Sequence, residues 1–507
     1  MAQNGTRGGP AIGLLSGRVR KIDAVFSFLR IVSALVGFSA FCMIIPAAVA
    51  LYEKEYDGVF AFLAPMALFL IPAVIILFAT RNTPFALSPQ SGFAAVAACW
   101  IVTGIAGSLP IVFSGEASLP DAIFESVSGF TTTGASVLTD VSSLPVYVNL
   151  WRCLTHWIGG IGIVVLTAAL LPLIGGNGFW LYKAETSGPE KGRITPKIAQ
   201  TAKILWLVYF GLTAVETVCL LAAGMNFPDA LSHAFSTMGT GGFSTKTEGI
   251  GFWNSRPVEI VIAVFMFLAG INFSLYFSLF TRRFDEITGN SELRAYCLIL
   301  VVTTAIISVV LVAARKTLWG ILPAVFHVLS ILTTTGFSTE DFTLWAFSAQ
   351  ILLFFLMFTG GCAGSTSGGV KIIRWVIMAK QTAREYRRTL HPHGVFTMTL
   401  NGKPVKSSLI FSAAAFIALY FAVVFATALA AAAIDKSDML TSLTASLCVT
   451  GNIGVAFGAT GPAGSFAFFS YPVKLIFSLA MLAGRLELYA VLLLFFPKSA
   501  VSPSSGT

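Results

Sequence analysis

Apolar residues in this chain come in long unbroken runs and do not alternate with polar ones. Runs able to cross a bilayer core, which takes about 20 helical residues, occupy 24–50, 59–80, 91–113, 150–174, 200–224, 257–281, 293–314, 344–378, 406–433 and 472–496. The pattern predicts ten membrane-spanning helices. After the third, fifth, seventh and ninth runs comes a further apolar segment of only about a dozen residues, opening on turn or capping chemistry at Pro120-Asp121, Pro228-Asp229, Pro323 and Lys436-Ser437-Asp438. Each is too short to cross. The natural reading is a helix that enters and stops at mid-depth, which a membrane tolerates only where the following backbone is buried in protein or lines a watery cavity.

The segments after these half-helices share a register. They read Thr131-Thr132-Thr133-Gly134-Ala135-Ser136, Gly239-Thr240-Gly241-Gly242-Phe243-Ser244, Thr333-Thr334-Thr335-Gly336-Phe337-Ser338 and Gly451-Asn452-Ile453-Gly454-Val455-Ala456. Aligned on Gly134, Gly242, Gly336 and Gly454, position −6 is Ser128, Ser236, Ser330 and Cys448, and position −12 is Ala122, Ala230, Ala324 and Ser442. No gap is needed over about fifteen residues, so the chain carries a fourfold internal repeat. The fourth copy has lost the threonine run.

Composition agrees with the membrane reading: 56% of the 507 residues are hydrophobic and 11% charged, whereas a soluble domain carries about 25% charged residues. The excess of Lys and Arg, 32 against 23 acids, calls for no nucleic acid, because it follows the positive-inside rule. With the N-terminus inside, the cytoplasmic loops hold Arg81; Lys183, Lys191, Arg193 and Lys197; Arg282, Arg283 and Arg294; and Lys371, Arg374, Lys380, Arg384, Arg387, Arg388, Lys403 and Lys406. Arg315 and Lys316 go against the rule. Both termini are expected in the cytoplasm, and the first run is too long for a cleaved signal peptide. The seven cysteines show no metal-ligand spacing and read as buried small hydrophobes.

Threonine and glycine four times over suit a cation path. A dehydrated cation needs carbonyl oxygens in place of its water shell, and the strip that offers them must take dihedrals open to glycine. The half-helices would aim their negative dipole ends at the same axis.

On these motifs the sequence resembles the Trk/Ktr/HKT superfamily of potassium transporters over about residues 90–496. The resemblance implies an all-α polytopic fold of four membrane–pore–membrane repeats around one pore. The units would be a cytoplasmic arm (1–23), an N-terminal helix pair (24–80) of the TrkH/TrkG type, repeats at 90–197, 198–290, 291–402 and 403–498, and a tail (499–507). It implies potassium ions held by filter carbonyls at Thr132-Thr133-Gly134, Thr240-Gly241-Gly242, Thr334-Thr335-Gly336 and Asn452-Ile453-Gly454, with potassium favoured by glycine at all four central positions, and no covalently bound cofactor. It also implies a homodimer in a bacterial inner membrane, surrounded by lipid, and a separate cytosolic nucleotide-binding regulatory ring docking on the basic segments.

Two further features sit below the strips. The eighth run contains Gly360, Gly361, Cys362, Ala363, Gly364, Ser365, Thr366, Ser367, Gly368 and Gly369, a poor helix on propensity. Gly162, Gly270 and Gly364 all fall at +28 from their filter glycines. In the family this stretch is an intramembrane loop that gates the pore. Arg485, at +31 in the tenth run, costs about 2.5–3.5 kcal/mol to insert; it is expected to face the ion path and contact residues 360–369. Asp140, Glu248, Glu340 and Asp341 suggest a partly acidic outer mouth, countered by Lys246. Glu125, His233 and His327 share position −9 and read as scaffold hydrogen-bonding groups; His156 reads as a packing residue.

The rivals are weaker. A proton- or sodium-coupled symporter on the same scaffold is the nearest alternative, while an ordinary two-fold transporter predicts halves where the spacing gives quarters. An intramembrane enzyme lacks its motif, since 364–371 has no GK[ST] ending and neither Ser365 nor Ser367 sits in a hydrolase turn.

Overall fold

The computed structural model describes the backbone of residues 10–84, 89–174, 198–316, 318–486 and 488. It is almost wholly helical. Helices α1 (Pro10–Cys42), α2 (Ile44–Tyr52) and α3 (Tyr56–Thr80) precede four similar units. The first unit is α4 (Pro89–Phe113), α5 (Leu119–Phe130) and α6 (Val146–Ile174). The second is α7 (Ile198–Ala222), α8 (Phe227–Gly239), α9 (Arg256–Ala269) and α10 (Phe273–Phe280), followed by the short α11 (Phe284–Thr288). The third is α12 (Ser291–Arg315), α13 (Ile321–Leu332), α14 (Phe347–Leu356) and α15 (Ile372–Leu390); the fourth is α16 (Ser407–Asp435), α17 (Met439–Gly451) and α18 (Tyr471–Arg485). A two-residue hairpin, Thr399–Leu400 against Lys403–Pro404, lies between α15 and α16. The arm expected at 1–23 is not separate from Pro10 onward, because α1 runs through it into the first span. Residues 1–9, the basic loop at Lys183, Lys191, Arg193 and Lys197, Glu487 and the tail at 499–507 lie outside the described residues.

Among the described residues, six helices are long and apolar enough to cross a membrane: Ile22–Tyr52, Tyr56–Thr80, Ala94–Phe113, Lys203–Ala222, Ser291–Ala314 and Ser407–Asp435. These are the first, second, third, fifth, seventh and ninth of the ten expected spans. The other four are the closing spans of the repeats, and three of them are interrupted at the +28 glycine. Gly162 kinks α6 with φ 70° and ψ 160°. At Gly270 the chain turns by 91° between α9 and α10. Gly364, with φ 77°, lies in the loop that separates α14 from α15. The sixth and eighth spans are therefore not the continuous helices that their hydropathy suggests. The fourth closing span is described as helix only to Arg485.

The four half-helices α5, α8, α13 and α17 have 12, 13, 12 and 13 residues. Two start on side-chain caps: the Asn226 side chain accepts from the Asp229 N–H at 2.8 Å, and Asp438 accepts from the Thr441 N–H at 3.0 Å. Such a cap fixes where each helix begins, and hence the depth at which a dozen residues, at 1.5 Å each, must end. The half-helices sit in a ring: α8 packs on α6, α13 on α9, and α5 on α18 from the far end of the chain. An ion pair, Lys474 Nζ to Asp121 Oδ1 at 2.7 Å, joins that last junction.

Candidate functional site

Each half-helix delivers its strip in the same unusual backbone. Position −2, occupied by Thr132, Thr240, Thr334 and Asn452, has φ of 54°, 54°, 56° and 54°; the central glycines Gly134, Gly242, Gly336 and Gly454 have φ of 80°, 85°, 83° and 96°. Left-handed backbone at every second residue precludes a β-strand. For threonine it costs about 1–2 kcal/mol per residue, so the surroundings must impose it.

The four strips meet head to tail. A methyl group on Gly134 would overlap the Gly241 carbonyl oxygen, one on Gly242 that of Thr335, and one on Gly336 that of Ile453; on Gly454 it would lie 2.7 Å from the Thr133 oxygen. The carbonyl at position −1 of each repeat thus abuts the central glycine of the one before it, and the fourth returns to the first. Strips 1 and 3 share the bonding of their first and third threonines: Thr131 Oγ1 and Thr333 Oγ1 donate to Val127 O and Leu329 O at 2.7 Å, and meet Thr133 Oγ1 and Thr335 Oγ1 at 2.8 and 2.7 Å. In strip 4 the Asn452 amide donates to Thr133 Oγ1 of strip 1 at 2.8 Å. On one side the four central glycines open into a cavity of about 230 Å³, also lined by Ser136, Ser244 and Ser338.

Behind the strips stands a scaffold with a residue the sequence reading overlooked. Glu125 is fully buried and accepts from Ser136 Oγ, the Val137 N–H and Arg152 Nε at 2.9, 3.0 and 2.8 Å; Arg152, also buried, pairs with it at 2.7 Å and donates to Ser244 O at 3.2 Å. One ion pair thus ties strip 1 to strip 2. His233 Nε2 reaches Ser244 Oγ at 3.1 Å and His327 Nε2 reaches Glu340 O at 3.1 Å, so position −9 fastens the segment just past each of the first three strips, through backbone in the first and third and through a side chain in the second. His156 stacks on Phe243 at 4.1 Å and supports strip 2 through Ser236.

The expected acidic mouth is not found. Among the described residues none that lines the cavity is acidic, and the charged lining groups are Arg152 and Lys246. Three of the four acids are engaged by loop groups, Asp140 by one from the second repeat. Asp140 accepts from Thr247 Oγ1 at 3.1 Å, Glu340 from Trp345 Nε1 at 2.7 Å, and Asp341 from the Thr343 N–H at 2.9 Å. Hydrogen bonds from Thr247 and Ser143 hold the Asp140 carboxyl below the usual carboxylate range.

On the opposite side of the ring lies the loop at 360–369. It fills the break in the second repeat: the Cys362 N–H donates to Gly270 O at 2.9 Å, Gly364 O accepts from the Phe273 N–H at 3.1 Å, and Thr366 Oγ1 reaches Ala269 O at 3.4 Å. Backbone groups freed by one broken helix are thereby satisfied by another. Ser365 Oγ donates to Cys362 O at 2.6 Å, Gly361 O accepts from the Ile372 N–H at 3.3 Å, and Lys371 Nζ donates to Ser367 O. Gly360 lies against the Gly368 carbonyl, and Gly369, with φ 64°, turns the chain back beside Thr359. Glu292, near the start of α12, ties the loop to the first turn of α15 by accepting from the Ala363 and Ile373 N–H groups at 2.7 and 3.0 Å.

Arg485 joins three repeats here. It donates to Thr366 O at 2.7 Å and to Gly159 O and Gly160 O at 2.7 and 3.2 Å. The two glycine carbonyls stand one turn before the Gly162 kink, where the helical ladder is interrupted and acceptors become free. Arg485→Ala is expected to alter ion flux or its ion dependence in reconstituted protein, and wild-type flux would show that these bonds only brace the helices.

Fold and site together define a polytopic membrane transport protein with a closed ring of four Thr/Gly-type strips at the ends of its half-helices. Residues 59–503 match the family model described as "TrkH: Cation transport protein", and the chain belongs to that family. It is 36% identical over 478 residues to the Trk system potassium uptake protein TrkH of Halomonas elongata, covering 92% of this chain and 98% of the relative. Against the Trk system potassium uptake protein TrkG of Escherichia coli K12 the identity is 34% over 488 residues, covering 92% and 98%. The crystal structure of the potassium transporter TrkH from Vibrio parahaemolyticus matches with a TM-score of 0.83 at 33% identity, over 94% of this chain and 99% of that one. The chain is thus an integral membrane transport protein and not an enzyme.

Proposed function

We propose that this chain takes up potassium through the strip ring and that the loop at 360–369 gates it. The observation that carries this reading is the closed cycle of position −1 carbonyls against central glycines. It supports the reading because four oxygens, from Thr133, Gly241, Thr335 and Ile453, each lie against the central glycine of the neighbouring strip in a cycle that closes on itself, as a ring of ion-coordinating carbonyls requires. The relatives named above are potassium uptake proteins, and glycine at all four centres favours the same ion here. The filter comprises Thr132, Thr133, Gly134, Thr240, Gly241, Gly242, Thr334, Thr335, Gly336, Asn452, Ile453 and Gly454. Potassium is substrate and not a resident cofactor.

Gly360, Gly361, Gly364, Ser365, Thr366, Ser367, Gly368 and Gly369 form the gate, with Arg485 as a fixed positive charge beneath the filter that discourages a cation from resting there. The glycines let the loop fold tightly inside the membrane, and a loop held by a few hydrogen bonds can exchange them for others at modest cost. Both termini face the cytoplasm of a bacterial inner membrane. Two copies form the membrane unit, and the exposed Arg387 and Arg388 of α15 belong to a docking surface for a cytosolic nucleotide-binding ring.

Proteoliposomes loaded with potassium test this directly. Deleting residues 364–369 is expected to raise potassium flux several-fold, with or without a proton gradient; unaltered or lower flux in a well-folded variant contradicts the gate, and no potassium flux in any form contradicts the channel.

A further inference from the structure

The four position −2 side chains are equivalent in the repeat but not in their bonding. Thr132 Oγ1 is buried without a hydrogen-bond partner among the described residues. Thr240 Oγ1 donates to Gly239 O in its own half-helix at 2.6 Å, and Asn452 Nδ2 donates to Thr133 Oγ1 and Met481 O. Thr334 alone is bonded to the loop: its Oγ1 accepts from the Gly368 N–H at 2.7 Å, and both residues are buried.

We propose that Thr334 couples the ion filter to the gate, holding the loop closed through Gly368 and so making the gate sensitive to what occupies the inner end of the third strip. The inference rests on the gate reading above. Its physical basis is that loop and strip share the Gly368 bond; the left-handed backbone of the strip does not depend on that bond, since Thr132 holds φ 54° with no partner for its Oγ1 among the described residues, so the bond is free to act on the loop. Gly368 is also seated so closely that a methyl on it would lie 2.6 Å from Gly451 O and 2.8 Å from Asn452 Cβ. The loop cannot leave without unloading strips 3 and 4 together. A ligand that acts better on one of two arrangements shifts their balance, and the permeant ion is such a ligand.

The repeat supplies its own control. Thr334→Val removes the acceptor at constant shape; Thr132→Val makes the same change where no loop bond exists; Thr334→Ser restores the acceptor. Losing one net hydrogen bond is expected to raise flux about fivefold in Thr334→Val, with weaker dependence on potassium concentration; that rise is expected to be reversed in Thr334→Ser, which keeps the acceptor, and absent in Thr132→Val. Cys362, buried within the loop, gives a second readout, since a cysteine-directed reagent should modify it faster in Thr334→Val than in the parent, scored against a Cys362→Ser background. Equal flux changes in Thr334→Val and Thr132→Val, with unchanged Cys362 reactivity, overturn the coupling while leaving the gate intact. A loop deletion without effect on flux overturns the gate itself and the coupling with it.

Discussion

Serine in place of Gly336 is expected to lower potassium-over-sodium permeability about tenfold or more, seen as a shift of the reversal potential with potassium on one side and sodium on the other. A side chain there overlaps the Ile453 carbonyl, and the backbone at φ 83° is one that serine disfavours. The carbonyl must move, and a loss of about 1.4 kcal/mol of discrimination is tenfold. Gly134 and Gly242 meet the same obstruction, whereas Gly454 leaves 2.7 Å to Thr133 O. Substitution at Gly454 should therefore be the mildest of the four. Unchanged reversal potentials at Gly336 would remove the strip from the ion path.

The largest effect on stability belongs to Arg152→Ala. It strands the Glu125 carboxylate, which is fully buried, and removal of one partner from such a pair costs about 3–5 kcal/mol. Thermal unfolding of the detergent-solubilised protein should show it, with Glu125→Gln added to Arg152→Met recovering much of the loss because no unpaired charge is then buried. An unchanged midpoint for Arg152→Ala would mean that the pair stabilises little and that strips 1 and 2 are held by other contacts.

Much of this organisation is written in the chain because it depends on glycine. Gly134, Gly242, Gly336 and Gly454 stand in left-handed backbone, so their register marks the strips directly. Thr132 and Asn452 share that backbone, yet nothing in a threonine or asparagine announces it, since tertiary contacts impose it. Gly162 and Gly270 were in register, but a lone glycine in an apolar run signals close packing as readily as a break, and only the structure shows both as breaks. Glu125 and Arg152 are 27 positions apart, on a half-helix and on the outer part of the following span, where an arginine reads as an ordinary boundary residue. The acidic mouth is absent because Glu340 and Asp341 bond to neighbours within a few residues and Asp140 to Thr247 of the next repeat's loop, and sequence spacing carries no information about where a surface carboxylate turns.

The ion pair between Lys474 and Asp121 has a consequence for the molecule as a circle. Three of its junctions are sewn by the polypeptide, and the fourth, where the last quarter meets the first, has no peptide to hold it. That is where Lys474, Asn452 and Arg485 all reach across, to Asp121, to Thr133 and to Gly159 with Gly160. The protein is a split washer whose slit is clasped at three depths, and whatever widens the aperture acts first on the clasp.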